Sequence, residues 1–211
     1  MATTVEAVKS DTRTKMIRRR VCLRGIKAAM FDRYPGDNQT KLEWWQKVYL
    51  HPKRGAISLP AMNISSLLSA HNTNSAPKRL RDKRKYKDIA NACLSFVMIS
   101  AEDGGDYIPF LRDGKPIHMG TIAPNQSEDP LSGISLHRIV ARLDKGIPNP
   151  KERPLLPCPW ELRFILEIIP NREIKEQEIK NLIEEAGLAI GIGTFRGVHG
   201  KYVVDEWSEL P

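Results

Sequence analysis

The chain has 211 residues, of which 41% are hydrophobic and 27% charged, and it carries a net charge of +8 at pH 7. This is the composition of a globular protein with a buried core, arranged as one sizeable domain or two small ones. No apolar run reaches the roughly 18 residues of a membrane-spanning helix. The three cysteines lie far apart, without metal-type spacing. We therefore expect a cytoplasmic protein with no membrane partner, no metal and no cofactor.

The positive charge is concentrated in two segments. Residues 13–27 contain seven basic residues and no acid, and residues 78–87 contain seven basic residues and one acid. Residues 161–185 are instead acidic, with seven acids against four bases. Two dense basic clusters favour a polyanionic partner, RNA or single-stranded DNA, over a surface that is charged only for solvation.

The first elements of the chain follow from its hydrophobic patterns. Apolar residues around Val21 and Leu23 alternate with basic ones and predict a strand with one basic face. The aromatic residues of "KLEWWQKVYL" fit one side of a short helix, and we expect them to pack in the core rather than stack on bases. "ISLPAMNISSLLSA" predicts a short strand that runs through Pro60 into a helix capped by Asn63.

The domain boundaries follow from the polar and proline-rich stretches. Residues 1–15 are predicted to be a disordered tail, and residues 16–211 a single domain. Within it, residues 71–90 are predicted to be a basic loop or arm. "IANACLSFVMIS" predicts a buried strand, and "RDGK" the tip of a hairpin. Residues 146–159 hold five prolines and are expected to be a stiff connector rather than a central strand.

The last fifty residues give the clearest pattern. "WELRFILEII" alternates apolar and polar residues and predicts a strand over a core. "REIKEQEIKNLIEEA" predicts a helix capped by Asn171 and ended by Gly187, with Glu176 and Lys180 as an i, i+4 pair. "LAIGI" and "KYVVDEW" predict two further strands on either side of a glycine loop.

The segment "GLAIGIGTFRGVHGKY" holds five glycines in sixteen residues. Glycine permits positive φ and close approach of another backbone, so main-chain N–H groups of this loop could cradle a phosphate, helped by Arg196. The alternative is a long hairpin with a bulged tip. The segment lacks the Lys-Ser/Thr pair of a Walker loop, and no predicted helix follows it, as a dinucleotide fingerprint requires.

The order strand, helix, glycine loop, strand, together with "ISLPAMNISSLLSA", resembles the RAMP superfamily, the ferredoxin-like proteins of CRISPR systems. "VCLRGIKAAMFDRY" and "VYLHPKRGAISLPAMNISSLL" also resemble a set of uncharacterised phage and prophage proteins. The resemblance covers residues 18–70 and 160–207, and it departs from the pattern where Arg196-Gly197 replaces an Arg-Pro pair. It implies an α+β fold, with a ferredoxin-like (RRM-like) β-α-β-β-α-β core, an antiparallel sheet, a basic insertion or arm and a hairpin.

The resemblance also implies a function. The sheet and the glycine loop would bind the backbone of RNA or single-stranded DNA without catalysis, and copies of the chain would stack head-to-tail along the strand. Other subunits of a nucleoprotein complex would be further partners. The residues expected to bind nucleic acid are Arg18, Arg19, Arg20, Arg24, Lys27, Lys78, Arg79, Arg81, Lys83, Arg84, Lys85, Lys87, Gly193, Arg196, Gly197, His199 and Lys201.

Two other functions stay open. A metal-independent RNA endonuclease needs a general base near a 2′-OH and a cation for the phosphorane. The candidates are His51, His71 and His199 for the base, and Lys78 or Lys201 for the cation. A structural filament or virion component could instead form by head-to-tail contact between the acidic residues 173–185 and the basic residues 18–24.

Overall fold

The structure is a computed structural model that describes residues 16–37, 39–69, 86–123, 125–142 and 148–211. The tail predicted for residues 1–15 lies outside the described residues, as does most of the basic arm predicted for residues 71–90. No helix in these described ranges is long and apolar enough to cross a membrane.

The described residues form ten strands, three α-helices and one short 3-10 helix, Trp44–Lys47. In chain order the strands are β1 (Ile17–Gly25), β2 (Ala29–Met30), β3 (Ser58–Pro60), β4 (Val97–Ala101), β5 (Tyr107–Arg112), β6 (Lys115–Pro116), β7 (Ser135–Arg142), β8 (Pro148–Leu156), β9 (Glu161–Ile168) and β10 (Tyr202–Glu209). The helices are α1 (Ala61–Ser69), α2 (Tyr86–Phe96) and α3 (Glu176–Ala189).

The larger sheet is antiparallel and contains the run β10-β1-β9-β4, with β5, β3 and β6 continuing it beyond β9. Helices α1 and α2 fall between β1 and β4 in the sequence, and α3 falls between β9 and β10. This mixed α/β architecture with an antiparallel sheet is compatible with the ferredoxin-like fold that the sequence resemblance implies. A smaller sheet has the order β2-β8-β7.

The core lies between the larger sheet and the helices. Val21 and Leu23 of β1 are fully buried, as are Leu162 and Phe164 of β9, so the predicted inward faces of both strands are confirmed. The opposite faces are less polar than predicted, because Cys22 and Ile165 are buried as well. The helical periodicity of α3 is confirmed as well, because one of its faces is buried. The residues of that face are Ile179, Leu182, Ile183 and Ala186.

The predictions for two short segments, the junction of β3 with α1 and the hairpin tip, are also confirmed. The strand β3 runs through Pro60 directly into α1. The "RDGK" tip joins β5 to β6, with Arg112 paired to Lys115 and the two turn residues at φ values of +52° and +72°. Positive φ at both turn residues is the conformation of a type I′ turn, one of the two turn types that two-residue hairpins favour. Asn63, however, lies inside α1 and does not cap it.

The apolar run "IANACLSFVMIS" is mostly helical, so the strand predicted for all of it is wrong. Helix α2 continues to Phe96, and β4 begins only at Val97. Ala90 and Cys93, three residues apart, are buried on one helical side, whereas Leu94 is 61% exposed. A short apolar run does not by itself distinguish a helix from a strand, and here small residues allow the helix to pack closely.

The proline-rich segment is a strand rather than a connector. β8 pairs with β7 along its whole length, whereas its other edge pairs with β2 only at Leu155 and Leu156 within the described residues. Its prolines at 148, 150 and 154 occupy alternate positions, so their missing N–H groups all face the side away from β7. Proline is tolerated in a strand where no partner needs that N–H.

The segment after β9 differs from its prediction at three points. Asn171 does not cap α3; its Oδ1 accepts N–H bonds from Glu173 and Ile174 in a separate turn, and the helix begins at Glu176. Gly187 lies inside the helix, where a Cβ would overlap the carbonyl oxygen of Tyr202 in β10. Glycine is therefore required by close packing rather than by a helix end, and the predicted strand "LAIGI" is instead the last turn of α3 and an irregular loop.

Candidate nucleic-acid interface

The arginines of β1 that point away from the helices are paired with acids of the same chain. Arg18, Arg20 and Arg24 alternate with the buried Val21 and Leu23 side of the strand, and each Nε lies within 3.0 Å of a carboxylate oxygen. Their partners are Glu167, Glu102 and Asp205. A polyanion that bound here would have to displace three carboxylates, so this exposed sheet face is balanced in charge rather than cationic.

Arg19 has a structural role on the other side of β1. Its Nε and Nη2 donate to the two carboxylate oxygens of Glu176 at 2.7 and 2.9 Å, and its side chain is only 16% exposed. The Arg19 hydrogen bond and the indole N–H of Trp207 hold the pKa of Glu176 below its usual range. The basic strand and the acidic helix that a head-to-tail contact would join are thus already in contact within one chain.

The second basic cluster lies largely outside the described residues. Only its last member, Lys87, is described, and it is exposed in the first turn of α2. The predicted contacts of Lys78, Arg79, Arg81, Lys83, Arg84 and Lys85 therefore stay predictions.

The glycine loop, residues 190–201, connects α3 to β10 and is anchored at its first half on two other elements. The N–H of Gly193 donates to Oδ1 of Asn63 in α1 at 3.1 Å, and the N–H of Thr194 donates to the carbonyl of Met30 in β2 at 2.9 Å. Gly193 has φ +78°, and a Cβ there would lie 2.5 Å from the same Met30 oxygen. Only glycine fits so close to β2.

The second half of the loop is also anchored by backbone hydrogen bonds. The N–H of Gly200 donates to the carbonyl of Ala28 at 2.8 Å, and its own carbonyl accepts from Ile192 at 3.0 Å. Every glycine N–H of the loop donates to an acceptor in the chain: these glycines are Gly191, Gly193, Gly197 and Gly200. The glycines therefore serve to pack the loop against its own core, and the expectation that their amides cradle a phosphate is not supported.

The tip of the loop is nevertheless exposed and apolar. Phe195 is 41% exposed and Val198 55% exposed. Phe195 has φ +51°, a left-handed conformation that is uncommon for a bulky residue. Backbone strain of this kind concentrates at functional positions. An aromatic ring held outward on an anchored loop is suited to stacking on a planar ligand.

Basic and imidazole side chains surround this tip. The ring of His199 lies 5.5 Å from that of His137 in β7 and 6.2 Å from that of Phe195, between centroids. Burial, His137 and Lys27 lower the pKa of His199 below its ordinary value, so the imidazole is neutral at pH 7. The N–H of Lys27 donates to the carbonyl of Lys201 at 3.2 Å, which joins the backbone after β1 to the end of the glycine loop.

Ring contacts and charge link Lys27, His137, Phe195 and His199. We call these four, together with the adjoining loop residues Val198 and Lys201, the loop-tip patch: Lys27, His137, Phe195, Val198, His199 and Lys201. Arg196 lies in the same loop but is partly buried; its Nε donates to the carbonyl of Gly193 at 3.3 Å, and burial lowers its pKa. Of the residues that the sequence selected, the structure brings together those of the loop and Lys27, and it places the β1 arginines on the sheet.

Sequence reasoning missed three members of the patch, His137, Phe195 and Val198, of which Val198 is simply the chain neighbour of the selected His199. Phe195 has a local signal, since it is a lone aromatic residue between glycines in "GTFRG". His137 has none, because β7 is about sixty positions away in the chain and only the fold brings it to His199.

The other histidine candidates do not join this surface. His51 is buried, its Nδ1 accepts from the N–H groups of Lys53 and Arg54, and its Nε2 lies 3.5 Å from Asp103. It therefore holds a turn in place. His71 lies outside the described residues. Within the described part of the chain, no three His, Cys, Asp or Glu side chains are grouped so that they could hold a metal ion.

Comparisons with known proteins bear on the fold. The sequence matches no protein-family model and no curated protein. Among solved structures, it is similar to one chain of a cryo-EM structure of the Type III-B Cmr-beta bound to cognate target RNA, with a TM-score of 0.50 and 11% identity. The alignment covers 93% of this chain but only 61% of that one. At this identity the similarity concerns the fold alone, and it agrees with a mixed α/β architecture built on an antiparallel sheet.

Proposed function

We propose that the protein binds single-stranded nucleic acid, with RNA as the preferred ligand, through the loop-tip patch and without catalysing a reaction on it. The observation that carries the proposal is the exposed Phe195, held in a left-handed conformation on an anchored loop, with its ring near that of His199, on which the charge of Lys27 acts. A base that stacks on an exposed aromatic ring while lysines contact the phosphates is a sequence-tolerant way to hold a single strand.

The fold supports RNA as the first ligand to test. From the strand order β10-β1-β9-β4, with helices between β1 and β4 and between β9 and β10, we infer a β-α-β-β-α-β core of the kind found in the RAMP superfamily. The similar solved chain belongs to a structure bound to target RNA. We therefore place the protein in a CRISPR-related or phage context, in which copies of the chain and other subunits assemble with it on the strand.

The proposal assigns different roles to the predicted basic residues. The arginines of β1 stabilise the sheet through their carboxylate partners. Lys27 and Lys201 supply charge at the patch, and the basic residues 78–85 are further candidates for phosphate contact. Head-to-tail assembly uses a surface other than the pair Arg19 and Glu176, because that pair is made within one chain.

Substitutions in the patch and on the sheet distinguish the two surfaces. We expect Phe195→Ala to weaken binding of a labelled poly-uridine RNA about tenfold, since one base–aromatic stack contributes roughly 1–3 kcal/mol. We expect Lys27→Gln to weaken binding and to reduce the slope of log K against log salt by about 0.7, the value for one phosphate on a single strand. Fluorescence anisotropy over a salt series measures both effects.

The matched control is Arg24→Gln, which removes the same charge from an arginine paired with Asp205. It is expected to change affinity less than twofold. A loss at Arg24 as large as that at Lys27, with Phe195→Ala unchanged, would place the strand on the sheet instead. A wild-type protein that bound no oligonucleotide, or bound without salt dependence, would refute the function altogether.

A metal-independent RNA endonuclease is the second candidate, because His137 and His199 lie with their rings 5.5 Å apart next to Lys27. Two imidazoles could share the acid and base roles of 2′-OH attack, with the lysine near the phosphorane. We expect no cleavage of labelled RNA incubated with the protein in EDTA. Cleavage that disappeared in both His137→Ala and His199→Ala, and on RNA with a 2′-deoxy residue at the cut, would establish the enzyme instead.

A further inference from the structure

A cleft of about 500 Å³ lies outside the loop-tip patch and has no role in the function described so far. Its volume falls in the range of roughly 300–1,000 Å³ that small-molecule sites occupy. Three aromatic side chains line it, those of Trp45, Tyr49 and Tyr107, together with Met119. Arg33 is the single charged residue among the described residues that line it.

The core holds the aromatic side chains of the cleft in place without burying them completely. Trp44 is buried, with 4% of its surface exposed, and the ring of Trp45 meets it edge-to-face at 5.9 Å. Trp45 and Tyr49 also pack against the core, as the sequence predicts, but they are only partly buried, so each keeps an exposed part that lines the cleft. Burial raises the pKa of Tyr49, which keeps its hydroxyl neutral and able to donate.

Arg33 is positioned by the turn that carries the tryptophans. Its backbone N–H donates to the carbonyl of Lys47 at 2.9 Å, and its Nε donates to the carbonyl of Gln46 at 3.0 Å. Its Nη1 and Nη2 have no partner among the residues that the structure describes. A guanidinium with two unused nitrogens beside aromatic faces is suited to a planar ligand that also carries a phosphate.

The cleft adjoins a second cavity that lies beside the glycine loop. A smaller cavity of about 170 Å³ is lined by Asn63, Gly193 and Thr194 on the loop side and by Tyr49 on the other, so Tyr49 belongs to both spaces. Asp32 also lines this cavity, and Nη2 of Arg153 lies 2.6 Å from its carboxylate. That ion pair neutralises the one acid among the described residues that line either space.

We propose that the cleft is a nucleotide subsite on the track of the same single strand. It takes one base between the faces of Trp45, Tyr49 and Tyr107, with the adjoining phosphate on Arg33. This inference rests on the proposed function and extends it, because the bound strand passes from the loop-tip patch across Tyr49 into the cleft rather than over the sheet.

Photocrosslinking tests the path of the strand directly. RNA oligonucleotides with 4-thiouridine at one position at a time are bound to the full chain and irradiated, and the adducts are mapped by mass spectrometry. We expect some positions to crosslink to Trp45, Tyr49 or Tyr107 and others to Phe195. Crosslinks at Phe195 and none in the cleft would overturn the subsite while leaving the proposed function intact. If no oligonucleotide bound, both would fall.

A matched pair of substitutions supplies the second readout. Arg33→Gln is expected to weaken RNA binding three- to tenfold and to remove the cleft crosslinks, while those at Phe195 remain. Arg172→Gln removes the same charge from an exposed arginine that lines neither the cleft nor the loop, and it is expected to change affinity less than twofold. Equal effects of the two substitutions, with unchanged crosslinks and unchanged thermal stability, would refute a role for Arg33.

Discussion

Replacing Gly200 by alanine is expected to lower the free energy of unfolding by about 4 kcal/mol, through strain and steric overlap together. Gly200 has φ +68°, where an L-residue pays roughly 1–2 kcal/mol. A Cβ at this position would also overlap the backbone carbonyl of Ile192, which cannot rotate away as a side chain would. The same two residues share the hydrogen bond that closes the loop, so moving them apart loses that bond as well.

Gly197→Ala is the matched control, because it lies in the same loop with a similar backbone. Its φ is +94°, but no atom lies within 4 Å of the position that a Cβ would take. Alanine there should cost only the conformational term, about 1–2 kcal/mol. Urea unfolding followed by tryptophan fluorescence measures both variants. Equal losses would mean that the loop does not pack on its own backbone as the structure describes.

This difference between two glycines shows what the sequence could and could not predict about the loop. The glycine spacing correctly marked a segment with special backbone requirements. It did not reveal their cause, because the acceptors of Gly193 and Thr194, namely Asn63 and Met30, precede them by more than a hundred positions. A phosphate-binding loop and a tightly packed connector both require glycines at such positions. Only the tertiary contacts of the loop distinguish the two.

The charge pattern had the same limitation. A count of basic residues identifies β1 as cationic, but the acids that pair with Arg18, Arg20 and Arg24 come from distant parts of the chain. Hydrophobic alternation was a better guide, because burying one face of a strand constrains every second residue of that strand itself. The fold was therefore more predictable than the site, since a strand carries its own pattern whereas an interface depends on which strands meet.

Asp129→Ala is expected to lower the free energy of unfolding by about 3–4 kcal/mol, because a buried carboxylate that accepts several bonds leaves each donor unsatisfied when it is removed. Asp129 has no exposed surface. Its carboxylate accepts from the N–H groups of Gly120, Leu131 and Ser132 at 3.0, 3.1 and 3.2 Å, and from the hydroxyl of Ser132. The exposed Asp37, which accepts two backbone N–H bonds in a turn, supplies the control Asp37→Ala, with a much smaller expected loss.

The contribution of Asp129 to the free energy of unfolding decreases at low pH. Burial raises its pKa, but the hydrogen bonds from Ser132, Gly120 and Leu131 outweigh burial and hold the pKa below the ordinary value. The carboxylate therefore stabilises the protein above the unfolded-state pKa of about 4, and this contribution is lost as the pH falls through the lower folded-state pKa. Urea unfolding of the wild type and Asp129→Asn should show a stability difference at pH 7 that shrinks towards pH 3.

The Asp129→Asn substitution is also expected to change the cleft. Gly120 lines the cleft, and its N–H is held by Asp129, so losing the carboxylate frees that wall to move. At temperatures where Asp129→Asn is still folded, we expect the yield of 4-thiouridine RNA crosslinks to Tyr107 to fall below that of the wild type. The yield of crosslinks to Phe195 should not change. Because Phe195 is anchored by the separate loop contacts of Gly193 and Gly200, an equal decrease at both positions would indicate global unfolding rather than a displaced wall.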